Sequence, residues 1–156
     1  MNESRASAAA VGLGVATFLH ALVTWPLPAA VVFFGGGVLV AFAAEAVAVN
    51  LDWLDHHVGP QIVGVPLYLL FAWPGTVYVA FRVALLATGG PTAVAVAGLL
   101  ATAYDALTDH RGVSDGLWSY TDTLSGPRPR GVPWWNFAGW FVISCLTAGL
   151  ALPFVG

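Results

Sequence analysis

The chain has 156 residues, 58% of them hydrophobic and only 8% charged, with eight acids, five arginines and no lysine. Too little charge is present to solvate a globular surface or build the basic face that nucleic acid requires, and the apolar excess excludes disorder. A single cysteine, Cys145, excludes a disulfide framework and a multi-cysteine metal site.

An integral membrane protein remains, and its mean hydropathy of +0.81 agrees. The predicted architecture is all-α: one polytopic transmembrane bundle of about five helices, forming a single membrane domain over residues 1–156. The first span covers Ser7–Trp25 and stops at Pro26-Leu27-Pro28. It is read as a span because one arginine precedes it and no clear small-residue cleavage motif stands ahead of the prolines, as a signal peptide would require. The second, Ala29–Asn50, carries Gly35-Gly36-Gly37 and one acid, Glu45. The third covers Gln61–Ala87, with Pro66 near its start and Pro74-Gly75 in its middle. The fourth, Pro91–Thr108, carries Asp105 near its end, and the fifth covers Pro133–Phe154. Apolar residues surround these segments on all sides, as expected where the solvent is lipid.

The connections after spans one and three are short and uncharged. Those after spans two and four are polar: Leu51–Pro60 and Asp109–Val132. Arg5, Arg111, Arg128 and Arg130 fall on the side of these two loops, so the N-terminus and both polar loops are predicted cytoplasmic in a multi-pass cell-membrane protein. Arg82 is expected to reach the opposite interface.

The chain repeats itself. Gly64-Val65-Pro66 precedes Trp73 as Gly131-Val132-Pro133 precedes Trp140, and each unit follows an acid-bearing helix and a polar loop. Two parallel helix-hairpin repeats are therefore expected. On this reading Glu45 lies ~7.5 Å from its helix end and Asp105 ~4.5 Å from its own, at 1.5 Å rise per residue. The macrodipole at a helix C-terminus disfavours negative charge, and so does desolvation, which makes each acid a candidate proton donor. Asp109, one turn beyond Asp105, reads either as solvated loop or as a further acid.

Trp73 and Trp140 lie deep enough to wall a pocket for a long apolar substrate, with cation–π stabilisation of a carbocation. Trp53, Trp134 and Trp135 read as an interfacial aromatic belt. Asn136, an amide at membrane depth, requires a partner. His56-His57 is not expected to bind metal, since adjacent histidines point apart and no second ligand cluster follows. His20 reads as a satisfied buried histidine.

These residues carry a resemblance. Gly116-Leu117-Trp118-Ser119-Tyr120 and Gly131-Val132-Pro133-Trp134-Trp135-Asn136-Phe137-Ala138-Gly139-Trp140 resemble the Gly-x-Trp and Gly-Val/Ile-Pro-x-x-Asn-Phe-x-Gly-Trp signature of the membrane carotenoid hydratases, of the bisanhydrobacterioruberin or γ-carotene hydratase type. Glu45, Gly64-Val65-Pro66-Leu67 and Asp105 fit the same pattern, which spans roughly Glu45 to Phe141. The composition suits a haloarchaeal source.

The resemblance implies a carotenoid-biosynthesis enzyme, a hydro-lyase, that adds water to the terminal isoprenoid double bond of a long acyclic carotenoid in the bilayer. No cofactor, metal or nucleic acid is implied, and a homodimer could complete the pocket. Glu45 and Asp105 are the candidate catalytic pair. Trp73, Tyr104, Trp118, Tyr120, Asn136 and Trp140 are the candidate substrate contacts. Two other readings of the residues stay open: a non-catalytic carotenoid- or lipid-binding membrane protein, and a small proton-coupled carrier.

Overall fold

The computed structural model describes residues 3–155. Five helices follow one another as α1 (Glu3–Thr24), α2 (Leu27–Asn50), α3 (Leu69–Ala84), α4 (Gly90–Ser114) and α5 (Trp134–Val155). Four short strands lie between them: β1 (Leu54–His56), β2 (Gln61–Ile62), β3 (Val65–Pro66) and β4 (Trp118–Tyr120). The fold is an all-α bundle. Helices α1, α2, α4 and α5 are long and apolar enough to cross a membrane. Their outward residues, such as Val23, Leu39, Leu99 and Leu146, are largely bare, as a surface facing hydrocarbon requires.

The prolines mark the joints. Pro26 ends the extended break after α1 and Pro28 sits in the first turn of α2, where a missing N–H costs nothing. Pro91 opens α4 in the same way. The third span differs from the expectation. Helix α3 begins at Leu69 rather than Gln61, because Gln61–Pro66 folds into a tight antiparallel ribbon, with Ile62 opposite Val65. Val63 and Gly64 turn this ribbon at φ 51 and 75, and proline at position 66 keeps Val65 extended. The 16 residues of α3 span about 24 Å, less than the ~30 Å hydrocarbon core. Pro66 therefore belongs to a strand, not to a helix start.

The fourth span also runs further than predicted. Helix α4 continues through Asp109, His110 and Arg111 to Ser114, so the polar loop begins a turn and a half later than apolarity alone suggested. Asp105 consequently lies roughly 13 Å from the helix end by the 1.5 Å rise, not ~4.5 Å.

A local two-fold relates the two helix hairpins. β1 and β4 pair antiparallel about Asp55 and Ser119, which brings both polar connections to one end of the bundle. The pairing is symmetric in detail: the His57 N–H donates to the Leu117 carbonyl at 2.9 Å, and the Thr121 N–H to the Trp53 carbonyl at 3.2 Å. The approach to each strand repeats as well, with Trp53 N–H bonded to Ala48 and Leu117 N–H bonded to Gly112. Left-handed residues recur at Asp52 and Gly116, and again at Val63-Gly64 and Arg130-Gly131. In keeping with this symmetry, α2 packs on α5 and α4 packs on α3.

Small residues set the helix spacing. Ala29, Ala30, Ala41, Ala97, Ala101, Ala148 and Ala151 are buried between helices. Gly14 of α1 lies directly against the Phe71 backbone of α3, where a methyl would sit 2.7 Å from a carbonyl oxygen. At the end away from the loops, Trp25, Phe33, Phe34, Tyr78 and Phe81 form a buried aromatic cluster. Arg82 lies at this opposite end, over the Trp25 and Tyr78 rings, and donates to Thr24 at 3.1 Å. His20 lies 2.7 Å from the Tyr78 hydroxyl, so it has a partner, but it stands on the exposed face of α1 and is not the buried histidine expected.

Candidate active site

Beneath the paired strands, a cavity of about 470 Å³ opens between α1, α3, α4 and the end of α2. All eight residues singled out in the sequence line it: Glu45, Trp73, Tyr104, Asp105, Trp118, Tyr120, Asn136 and Trp140. Asp109 and His56 line it too. Helix α1 closes one wall with Ala6, Ala9, Ala10 and Leu13. Tyr104 is 51% exposed at the rim, while Asp105 and Asp109 are 3% and 7% exposed.

Each carboxyl group has its own partners. Glu45 uses both oxygens: Oε2 lies 3.0 Å from His56 Nε2, and Oε1 accepts from the Trp73 indole N–H at 3.0 Å. Asp105 Oδ2 accepts from the Asn136 side-chain amide at 2.8 Å, which supplies the partner that an amide at this depth needs. Asp109 Oδ2 accepts from the Tyr120 hydroxyl at 3.0 Å. Burial, reinforced by the charge of Asp109, pushes the Tyr120 hydroxyl above the ordinary tyrosine range. Tyr120 therefore keeps its proton and acts as a donor. Trp118 lies over Gly112 and beside the His56 ring, whose centroid is 6.4 Å away.

The two-fold reassigns the repeat. Glu45 bonds the strand residue eleven positions on, His56, and Asp109 bonds the strand residue eleven positions on, Tyr120. Asp109, not Asp105, is thus the counterpart of Glu45. The places equivalent to Asp105 and Asn136 hold Ala41 and Leu69 in the other repeat. The Asp105–Asn136 pair is consequently what makes the two halves chemically unequal. Sequence reading placed Asp109 between loop and acid because it ended the helix at Thr108. The equal eleven-residue spacing to a bonding side chain was the available signal.

On the axis itself, Trp73 and Trp140 stack face to face, with ring centroids 3.6 Å apart and planes inclined by 19°. Of the tryptophans read as an interfacial belt, Trp134 is half exposed, whereas Trp53 and Trp135 pack on one another at 5.5 Å. Among the described residues, no three or more His, Cys, Asp or Glu side chains group in a way that could hold a metal ion.

The sequence profile of the carotenoid biosynthesis protein family matches residues 8–155. This chain belongs to that family. The match takes in α1 from Ala8 onward, all of α2 to α5, and every residue of the cavity except Ala6. No curated protein and no solved structure matches the chain. Membership assigns this carotenoid biosynthesis protein a role in making carotenoids, and its four membrane-length helices suit a pathway whose molecules dissolve in lipid.

Proposed function

We propose that this carotenoid biosynthesis protein hydrates the terminal isoprenoid double bond of a long acyclic carotenoid, bisanhydrobacterioruberin-like, without a cofactor. The observation that carries this reading is the convergence of Glu45, Asp105 and Asp109 on one buried cavity backed by stacked indoles. Grouping three carboxyl groups around one space puts a proton donor and a proton acceptor within reach of the same substrate.

In this mechanism Asp105 transfers its proton to the less substituted alkene carbon, and the alkene π pair forms the new C–H bond. The neighbouring carbon becomes a tertiary cation, facing the indole π surfaces of Trp73 and Trp140. A water oxygen attacks that carbon while Glu45, positioned by His56 and the Trp73 N–H, takes the water proton. The product is a tertiary alcohol, and proton exchange between the carboxyls restores the starting state. Asn136 orients Asp105 throughout.

Four of the five arginines lie toward the strand-paired end, which supports placing that end and the N-terminus in the cytoplasm, where water is available. The test is expression in cells that accumulate bisanhydrobacterioruberin or lycopene, followed by chromatography of the pigments. Tertiary hydroxyls are expected with the native chain and should vanish with Glu45→Gln and with Asp105→Asn. An unchanged pigment profile with folded protein in the membrane overturns the reading.

A further inference from the structure

A second cavity, of about 410 Å³, lies between α2 and α5 on the other side of the stacked indoles. It shares Glu45, Leu54, Trp73, Asn136 and Trp140 with the acid cavity, so the two spaces adjoin along that line of residues. The local two-fold exchanges them: Ala72 and Thr76 of the first correspond to Gly139 and Ile143 of the second. Their chemistry differs. The acid cavity has Asp105, Asp109 and Tyr120, whereas the remaining wall of the second is alanine, valine, isoleucine, glycine and tryptophan. Helix α1 covers the first, while the second is lined only by α2, β1, α3, α5 and the residues next to them. Gly139 faces free space, with nothing within 4 Å of where a methyl would stand.

We infer that the α2/α5 cavity is the subsite for the polyene chain of the same molecule whose terminal double bond reaches the carboxyls. This inference rests on the proposed substrate class. A cavity of about 470 Å³ is near the low end of the ~300–1,000 Å³ typical of ligand sites. It takes an end group and a few isoprene units, not a rod comparable with the ~30 Å hydrocarbon core. The rest of the rod needs an apolar continuation, and the exposed residues of the acid cavity include the polar Tyr104, Arg111 and Asp115. The second cavity supplies one, aligned with the indole faces of Trp73 and Trp140, which present polarisable surface to a conjugated chain. Its opening between α2 and α5 lets the substrate arrive sideways from lipid.

The test uses the full chain in lipid nanodiscs, with lycopene binding followed by energy transfer from tryptophan and a short acyclic isoprenoid of the same end group as competitor. Gly139→Phe is expected to weaken lycopene binding about tenfold while leaving the short competitor's affinity unchanged. Ala72→Phe, in the acid cavity, should weaken both. Gly149→Phe, on the same helix with open space around it and outside both cavities, should weaken neither. Gly139→Leu provides a smaller plug should phenylalanine disturb folding. Unchanged lycopene affinity in the Gly139 variants overturns the inference. So does a shift of the particle from dimer to monomer, which makes a second copy the occupant, or bilayer lipid retained at the site against excess lycopene. If lycopene binds in a Gly139-dependent manner yet no hydroxyl forms, the subsite stands and the hydration reading falls.

Discussion

Glu45 and Asp109 occupy the same place in the two halves of the molecule, each bonded to the side chain eleven residues further on, His56 in one case and Tyr120 in the other. Glu45 bonds one of the stacked indoles, Trp73, and the Asp105–Asn136 pair, which has no counterpart in the other half, makes the two sides chemically unequal. Asp109→Asn retains an oxygen that accepts from Tyr120, so folding should survive. Its hydroxylated pigment yield is expected to fall ~10²-fold or more, the scale of a lost acid–base group. Chromatography of the pigments beside an immunoblot of the membrane fraction checks this. Full yield would remove Asp109 from the proton store.

Tyr120 gives a pH signature. Its hydroxyl in the folded state ionises above the ordinary value of about 10, for burial and the neighbouring carboxyls both disfavour the phenolate. A group raised in this way contributes stability that is complete below its unfolded value and is lost as pH climbs past it. Thermal stability in detergent should therefore decline above pH ~10, and Tyr120→Phe should decline less. In near-ultraviolet titration, the substitution should leave the phenolate absorbance of the folded protein unchanged near that pH. It should lower the absorbance only after unfolding.

Gly112 shows how one small residue holds the site open. A methyl there would run into the Trp118 ring, whereas the equivalent Ala48 carries its methyl without difficulty because Leu54, not tryptophan, lies at the matching place. Gly112→Val is expected to cost about 1–3 kcal/mol by overpacking and to displace the Trp118 ring from its place beside His56. Denaturant titration in micelles would measure the loss. Gly112→Ala combined with Trp118→Leu should avoid most of it, since that pair reproduces Ala48 and Leu54 of the other repeat.

Much of this was legible beforehand. Long apolar runs bounded by proline and glycine located four spans to within a few residues at most ends, because hydrophobicity alone selects a membrane helix. The Gly-Val-Pro and Trp spacing disclosed the repeat, since those residues fix a turn and a stack that both halves need. Two things were hidden. Apolarity stops at Thr108 while the helix continues to Ser114, because Asp109 bonds Tyr120 of β4 and Gly112 packs against Trp118 of the same strand. Residues 61–66 look like membrane helix by composition, yet their positive-φ turn and Pro66 fold them into a ribbon. Both errors arise where a tertiary contact outweighs the local hydrophobic pattern. Together they misaligned the repeat by one helical turn and paired Glu45 with the wrong acid.

The stacked indoles are related by symmetry but not equal in what they bond. Trp73 donates to Glu45 Oε1 at 3.0 Å, while the counterpart of that acceptor for Trp140 is Asp109, to which it shows no hydrogen bond among the described residues. Phenylalanine at either position preserves an aromatic stack. Only Trp73→Phe also leaves Glu45 without its indole donor. A hydrogen bond to a charged group contributes about 1.5–3 kcal/mol, equivalent to roughly 10- to 100-fold in rate if it positions the base. Trp73→Phe is therefore expected to cut hydroxylated pigment by that factor, against a few-fold for Trp140→Phe. Lycopene binding should change little in either variant. Equal losses of yield would mean that the indoles serve only as a wall and that Glu45 owes its orientation to His56 alone.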